Sequence, residues 1–148
     1  MDVQQDFRDL LALFNAHKVD YLIIGAHALA FHGAPRYTGD LDILVRPDME
    51  NAQRVLRALE EFGFGSLGLT AGDFAETGNV VQLGVPPVRL DIVTSLTGVS
   101  WEEAAIGREA GPYGELDVYY IGKEQFIENK RALGRKKDLA DLEAIGEE

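Results

Sequence analysis

Apolar residues at Val3, Phe7, Leu10, Leu11 and Phe14 recur every three or four positions and predict an amphipathic helix over 2–17 with one stripe to bury. Tyr21-Leu22-Ile23-Ile24 is a continuous apolar run closed by Gly25 and reads as a buried strand. A small-residue helix over about 26–32 follows and is broken by Gly33-Ala34-Pro35. The next strand runs from Asp40 to Val45. Asp48 can cap a helix reaching about Phe62, with Met49, Ala52, Val55, Leu56 and Leu59 at helical spacing. Glycines at 63, 65, 68, 72 and 78 mark a loop with one short helix near 70–76. Val80 to Val85 and Val88 to Val93 read as a hairpin turned through Gly84, Pro86 and Pro87, whose prolines keep the connection out of a central ladder. Ser100 and Glu103 form a capping box for a helix near 100–107. A last strand from Glu115 to Ile121 and helices at about 123–133 and 136–145, parted by Gly134, complete the pattern.

Helices and strands do not alternate strictly, so a single mixed sheet with helices against one face or both is the expected solution. With 148 residues the chain reads as one domain, 1–148, and is long enough to bury a core of its own. There is no internal repeat and no low-complexity tract. The absence of cysteine excludes disulfides, thiolate zinc sites and a cysteine nucleophile, and fits a reducing cytoplasm. No apolar run is long enough for a membrane span, and the N-terminus is acidic rather than signal-like, so no membrane partner is expected. The net charge of −11 excludes a bulk nucleic-acid binder. Against that background, residues 123–137 carry Lys123, Lys130, Arg131, Arg135, Lys136 and Lys137 with only Glu124 and Glu128 opposed. This basic segment is either a solvated helical face or an anion site, such as one for phosphate.

The chemistry concentrates on the strand at 40–45. Side chains alternate across a strand, so Asp40, Asp42 and Leu44 share one face and Leu41, Ile43 and Val45 the other. Two carboxylates two residues apart lie ~6–7 Å apart and repel each other unless a cation intervenes. Metals ~3.5–4 Å apart fit between such oxygens and can clamp both ends of an in-line phosphoryl displacement. Oxygen-only ligands favour Mg²⁺, Mn²⁺ or Ca²⁺ over zinc. On the strand at 88–93, Arg89, Asp91 and Val93 share a face, and Asp91 is a lone carboxylate in an apolar run. If the two strands are neighbours, all three aspartates meet on one side of the sheet. The third then serves as a further metal ligand or as a general base. An Asp-x-Asp pair alone is most often a solvated face, and Glu115-Leu116-Asp117 has the same spacing with no role assigned.

The flanking residues raise the interest of this pair. Gly25 ends one strand and opens a helix whose backbone N–H groups can hold phosphate. Arg36 and Thr38 lead directly into the aspartates and are placed to contact triphosphate oxygens; a salt bridge for Arg36 and an ordinary turn hydroxyl for Thr38 are the plainer readings. His27 and His32, five apart, lie on different faces of their helix and read as structural or hydrogen-bonded histidines. Lys130 falls on the apolar stripe of its helix with Phe126 and Leu133, so its ammonium either snorkels to solvent or reaches into a polar cleft. Asp138 and Asp141 are spaced to pair with the neighbouring cations.

Taken together, Gly25-Ala26-His27-Ala28, His32-Gly33, Arg36-Tyr37-Thr38-Gly39-Asp40-Leu41-Asp42-Ile43, Leu90-Asp91-Ile92 and the segment from Asn129 to Leu142 resemble the small prokaryotic nucleotidyltransferases of the DNA polymerase β superfold, nearest to those grouped with abortive-infection toxin nucleotidyltransferases. The resemblance runs from about residue 19 to 145. It implies the nucleotidyltransferase fold: α/β of the α+β type, with a mixed, mainly antiparallel sheet flanked by helices. It implies an Mg²⁺-dependent transfer of a nucleoside monophosphate from a nucleoside triphosphate to an acceptor hydroxyl, with Mn²⁺ able to replace Mg²⁺. Asp40 and Asp42 then hold two metal ions, and Asp91 is the third catalytic and metal-binding carboxylate. Gly25 with Ala26 holds the nucleotide phosphates, Arg36 and Thr38 are placed to contact them, and Lys130, Arg135 and Lys137 belong to the basic nucleotide-binding motif. ATP is the first nucleotide to consider. The acceptor is a small molecule, a tRNA or a protein, and a toxin role would add an antitoxin partner. An oligomer is compatible with so small a cleft. Many members of the superfold carry Ser where this chain has Ala26, so one phosphate-binding hydroxyl is missing. The alternative is an inactive nucleotide-binding or interaction module on the same scaffold.

Overall fold

The structure, a computed structural model, describes residues 4–35, 38–85 and 88–147. The first helix, α1 (Gln5–Ala16), buries the stripe Phe7, Leu10, Leu11 and Phe14; Val3 lies outside the described residues. The Gln4 side chain accepts from the Asp6 and Phe7 N–H groups and so satisfies two donors that the first turn leaves open. Strand β1 (Tyr21–Ile24) leads without a loop into α2 (Gly25–Phe31). After β2 (Asp40–Val45), Asp48 caps α3 (Met49–Leu59) by accepting from Asn51 N–H. The expected extension of α3 to Phe62 is instead a π-helical turn over Glu60–Phe64, interrupted by Gly63 at φ 120°. A single turn, α4 (Gly72–Ala75), precedes the hairpin β3 (Val80–Val85) and β4 (Val88–Val93); Pro86 and Pro87 at its tip lie outside the described residues. The Ser100–Glu103 capping box opens α5 (Trp101–Gly107).

One strand was not expected from the pattern. β5 (Glu109–Tyr113) pairs antiparallel with β6 (Leu116–Tyr120) at an edge of the sheet. Its Gly111 and Pro112 erase the alternation that marks a strand, and a proline is tolerated at such an edge. The Tyr120 hydroxyl donates to the Pro112 carbonyl and fixes the pair. Two helices, α6 (Lys123–Leu133) and α7 (Lys136–Ala144), close the chain around Gly134, whose φ of 63° ends α6 in the left-handed conformation.

The six strands form one mixed sheet in the order β3-β4-β2-β1-β6-β5. β1–β2, β3–β4 and β5–β6 pair antiparallel, while β2–β4 and β1–β6 pair parallel. The two faces differ. Leu41, Ile43, Leu90 and Ile92 enter a large core with Phe7, Leu10, Leu11 and Phe14 of α1 and Val55 and Leu59 of α3. On the other face, Leu22, Leu44, Val99 and Ala104 form a small cluster. Alternation along β2 puts Asp40 and Asp42 on the same side as Leu44, where this thinner apolar cover ends. Among the described residues, no helix is long and apolar enough to cross a membrane.

Candidate active site

The parallel pairing of β2 with β4 decides the site. Its register sets Asp42 opposite Asp91 and Asp40 opposite Arg89, so the three aspartates and the arginine share one face. They line a cleft of about 320 Å³ together with Gly25, Ala26, Thr38, Lys130, Arg135, Lys137 and Asp141. Elements distant in sequence thus supply one wall each: β2 and β4 the carboxylates, α2 the backbone at Gly25, and the α6–α7 pair the cations. Of the site residues expected from sequence, Arg36 lies outside the described residues; all the others meet here.

The approach of α2 to the carboxylates depends on Gly25. Its φ is 66°, a conformation that other residues adopt only with strain. A Cβ built on it would stand 2.2 Å from Asp42 Oδ2, so no side chain fits without moving that carboxylate. Thr38 adopts its plainer reading: its hydroxyl accepts from Asp40 N–H at 3.1 Å and shapes the entry to β2. His27 is buried against the rings of Phe7 and Tyr113, and burial pushes its imidazole below the usual histidine range. His32 Nε2 donates to the Ile121 carbonyl at 2.7 Å. Both histidines are therefore structural.

The carboxylate cluster carries more negative charge than its surroundings offset. Asp91 is buried, and the Asp40 side chain is 39% exposed. The Asp42 carboxyl is pushed up from 3.8 to about 6, first by burial, then by the charges of Asp91 and Asp40 and a hydrogen bond with Asp91. Arg89 contacts Asp40 Oδ2 at 3.4 Å and Asp91 Oδ2 at 3.2 Å. Its Nε also lies 3.2 Å from Asp91 Oδ1, yet both atoms are buried without a hydrogen bond, because the pair is misaligned.

The basic wall is organised differently. Lys130 does not snorkel to solvent. Its ammonium lies over the Phe126 ring and pairs with Asp138 at 3.3 Å and Asp141 at 3.1 Å. Arg135 donates to Asp138 through Nε at 2.6 Å, through a terminal nitrogen at 3.2 Å and through its backbone N–H at 3.1 Å. The Arg135 guanidinium, more than offsetting the cost of burial, holds the fully buried Asp138 carboxyl below its usual range, with Lys130 adding to it. Two of the six cations in this segment, Lys130 and Arg135, are thus engaged by the aspartates of α7.

A second lobe, about 370 Å³, opens beside the first and shares Gly25, Asp42, Lys130 and Arg135 with it. Val80, Val93, Leu96, Ile121, Phe126 and Leu133 make it largely apolar, and Asn129 is fixed there by donating to the Thr97 carbonyl at 2.9 Å. The sequence gives no local signal for this lobe, since its lining is scattered over residues 24–135. Arg89 is a site residue that the pattern alone does not single out, although alternation places it on the face of Asp91.

The carboxylates suit a hard divalent cation by donor chemistry, by the repulsion such an ion would relieve, and by the unbonded Asp91 Oδ1. As the side chains stand, with Arg89 against Asp40 and Asp91, no three acidic or histidine side chains among the described residues converge as a ready metal cage.

No family model matches the chain, and no curated protein matches its sequence. Solved structures do resemble it. A Thermotoga maritima protein classed as a nucleotidyltransferase superposes with a TM-score of 0.62 at 18% identity, over 94% of this chain and 89% of that one. The lincosamide antibiotic adenylyltransferase LnuA, with lincomycin bound, gives 0.54 at 15% identity over 98% of both chains. An antigenic nucleotidyltransferase-like protein from Paracoccidioides brasiliensis gives 0.52 at 20% identity, over 95% of this chain and 72% of that one. At such identities the likeness is one of fold.

Proposed function

We propose that this chain, which has the nucleotidyltransferase fold, transfers a nucleoside monophosphate from a nucleoside triphosphate to an acceptor hydroxyl. The observation that carries the reading is the β2–β4 register, which gathers Asp40, Asp42 and Asp91 on one face of a cleft also lined by three cations from α6, α7 and their junction. Asp40, Asp42 and Asp91 would hold Mg²⁺ or Mn²⁺, which supplies charge neutralisation at the attacking and leaving oxygens of an in-line displacement. Asp91 accepts the proton of the acceptor hydroxyl as its oxygen bonds to the α-phosphorus, and the bond from that phosphorus to the bridging oxygen breaks to release pyrophosphate. Lys137 and the outer face of Arg135 are exposed and attract the phosphate tail. Gly25 and Ala26 border it without a side-chain hydroxyl, so any hydrogen bond from them comes from backbone N–H. The apolar lobe receives the uncharged part of a substrate.

The test is transfer from α-phosphorus-labelled ATP, GTP, CTP and UTP, with Mg²⁺, to small-molecule, RNA and protein acceptor pools. Wild type should label one pool and release pyrophosphate. Asp91→Asn should lose about 100-fold or more of the rate, as expected for a positioned base. Equal labelling by wild type and Asp91→Asn would refute the assignment.

A further inference from the structure

Arg89 stands two residues before Asp91 on β4 and opposite Asp40 in the ladder, so its side chain is delivered to the carboxylates by the same register that assembles them. We infer that Arg89 is the built-in counter-ion of the carboxylate cluster: its guanidinium spans Asp40 and Asp91 when no divalent cation is bound, and competes with that cation for the same two carboxylates. The inference rests on reading Asp40, Asp42 and Asp91 as divalent-metal ligands.

Three observations support it. The guanidinium contacts two of the three carboxylates, and a divalent ion set between them would face that positive charge at close range and be repelled by it. The bonding is also loose: contacts of 3.2 and 3.4 Å, with one facing pair of atoms unbonded, contrast with 2.6 Å for Arg135 on Asp138. A loosely held pair is the one a stronger cation displaces. Finally, the Arg89 side chain is 31% exposed, so it has a way out of the cluster without unfolding the strand. Arg89 thereby raises the divalent-cation concentration at which the site loads, and offsets part of the repulsion among the acids until then.

The experiment titrates Mn²⁺ alone, without nucleotide, and follows the paramagnetic resonance of the free ion. Because a chain at −11 binds cations diffusely, the specific site is defined as binding lost in Asp42→Asn. Arg89→Gln should bind Mn²⁺ at that site about tenfold more tightly than wild type, because a neighbouring charge has been removed. Arg89→Lys should fall between them, since one ammonium keeps the charge but not the two-pronged reach. Lys123→Gln, which removes a cation outside this cleft, should change the affinity less than about twofold at ordinary salt. If wild type shows Asp42-dependent binding and Arg89→Gln binds no more tightly, the competition is refuted and the metal site stands. The same holds if Lys123→Gln tightens binding as much as Arg89→Gln does. If no variant shows Asp42-dependent binding, the metal site and the competition fall together. Should Arg89→Gln not fold, Arg89→Lys decides, with about threefold tighter binding expected and no change refuting the inference.

Discussion

Two ionic clusters face each other across one cleft and use the same residue types to opposite effect. In the α6–α7 cluster, Lys130 and Arg135 meet Asp138 and Asp141, cations and acids are equal in number, and the buried Asp138 receives several hydrogen bonds. Its carboxyl is held below the usual range. In the β2–β4 cluster, three acids share one arginine, which contacts only Asp40 and Asp91, and the Asp42 carboxyl is pushed up to about 6. Burial penalises both groups; what separates them is whether the partners compensate. A compensated cluster holds two helices together. An uncompensated one is a strained arrangement that a cation would relieve, and such sites are where function concentrates.

The largest test of that contrast removes Asp138. Asp138→Ala leaves Lys130 and Arg135 without their shared partner and should cost on the order of 3 kcal/mol in urea unfolding, within the range for breaking a buried pair. A cost under about 1 kcal/mol would make the α6–α7 cluster ornamental. Asp42→Asn should do the reverse, stabilising the metal-free protein by about 1–3 kcal/mol at neutral pH. The pH dependence separates the clusters further. Because the folded Asp42 carboxyl is raised from 3.8 to about 6, the native state binds its proton more tightly than the unfolded chain. That contribution favours folding in acid and is lost as pH rises from about 4 to 6, so the advantage of Asp42→Asn should grow over that window. The Asp138 carboxyl is lowered, so its contribution is present at neutral pH and disappears only as pH falls below about 3.8. Unfolding curves of both variants against wild type between pH 3 and 8 check both signs. The smallest effect belongs to Thr38→Val, which deletes the hydroxyl that accepts from Asp40 N–H. It should cost about 0.5–1 kcal/mol by thermal unfolding, without shifting the Asp42-dependent pH response.

Much of this was readable along the chain. β2 and β4 follow from their apolar alternation, and the same alternation places Asp40, Asp42 and Asp91 on definable faces. What it does not supply is which strands pair. The meeting of Asp42 with Asp91, and of Arg89 with Asp40, depends on a parallel ladder between strands more than 40 residues apart, which no local pattern encodes. β5 stayed hidden because Gly111 and Pro112 carry no strand signal and its support comes from an edge contact with β6. Lys130 was visible as a cation on an apolar stripe, and Asp138 and Asp141 as its possible partners; only the packing of α7 on α6 turns that spacing into a buried pair. The apolar lobe beside the carboxylates has no contiguous sequence signature at all.

The central claim is that the uncompensated carboxylates bind nucleotide through a divalent cation. Its most direct test is the thermal midpoint with ATP, GTP, CTP and UTP, each with and without Mg²⁺, for wild type and an Asp40→Asn, Asp42→Asn double variant. The account predicts that nucleotide and Mg²⁺ together raise the midpoint of wild type by several degrees, more than either does alone, and that the double variant lacks this joint gain, because ligands of the native state stabilise it. Equal responses from wild type and the double variant to every nucleotide would contradict it.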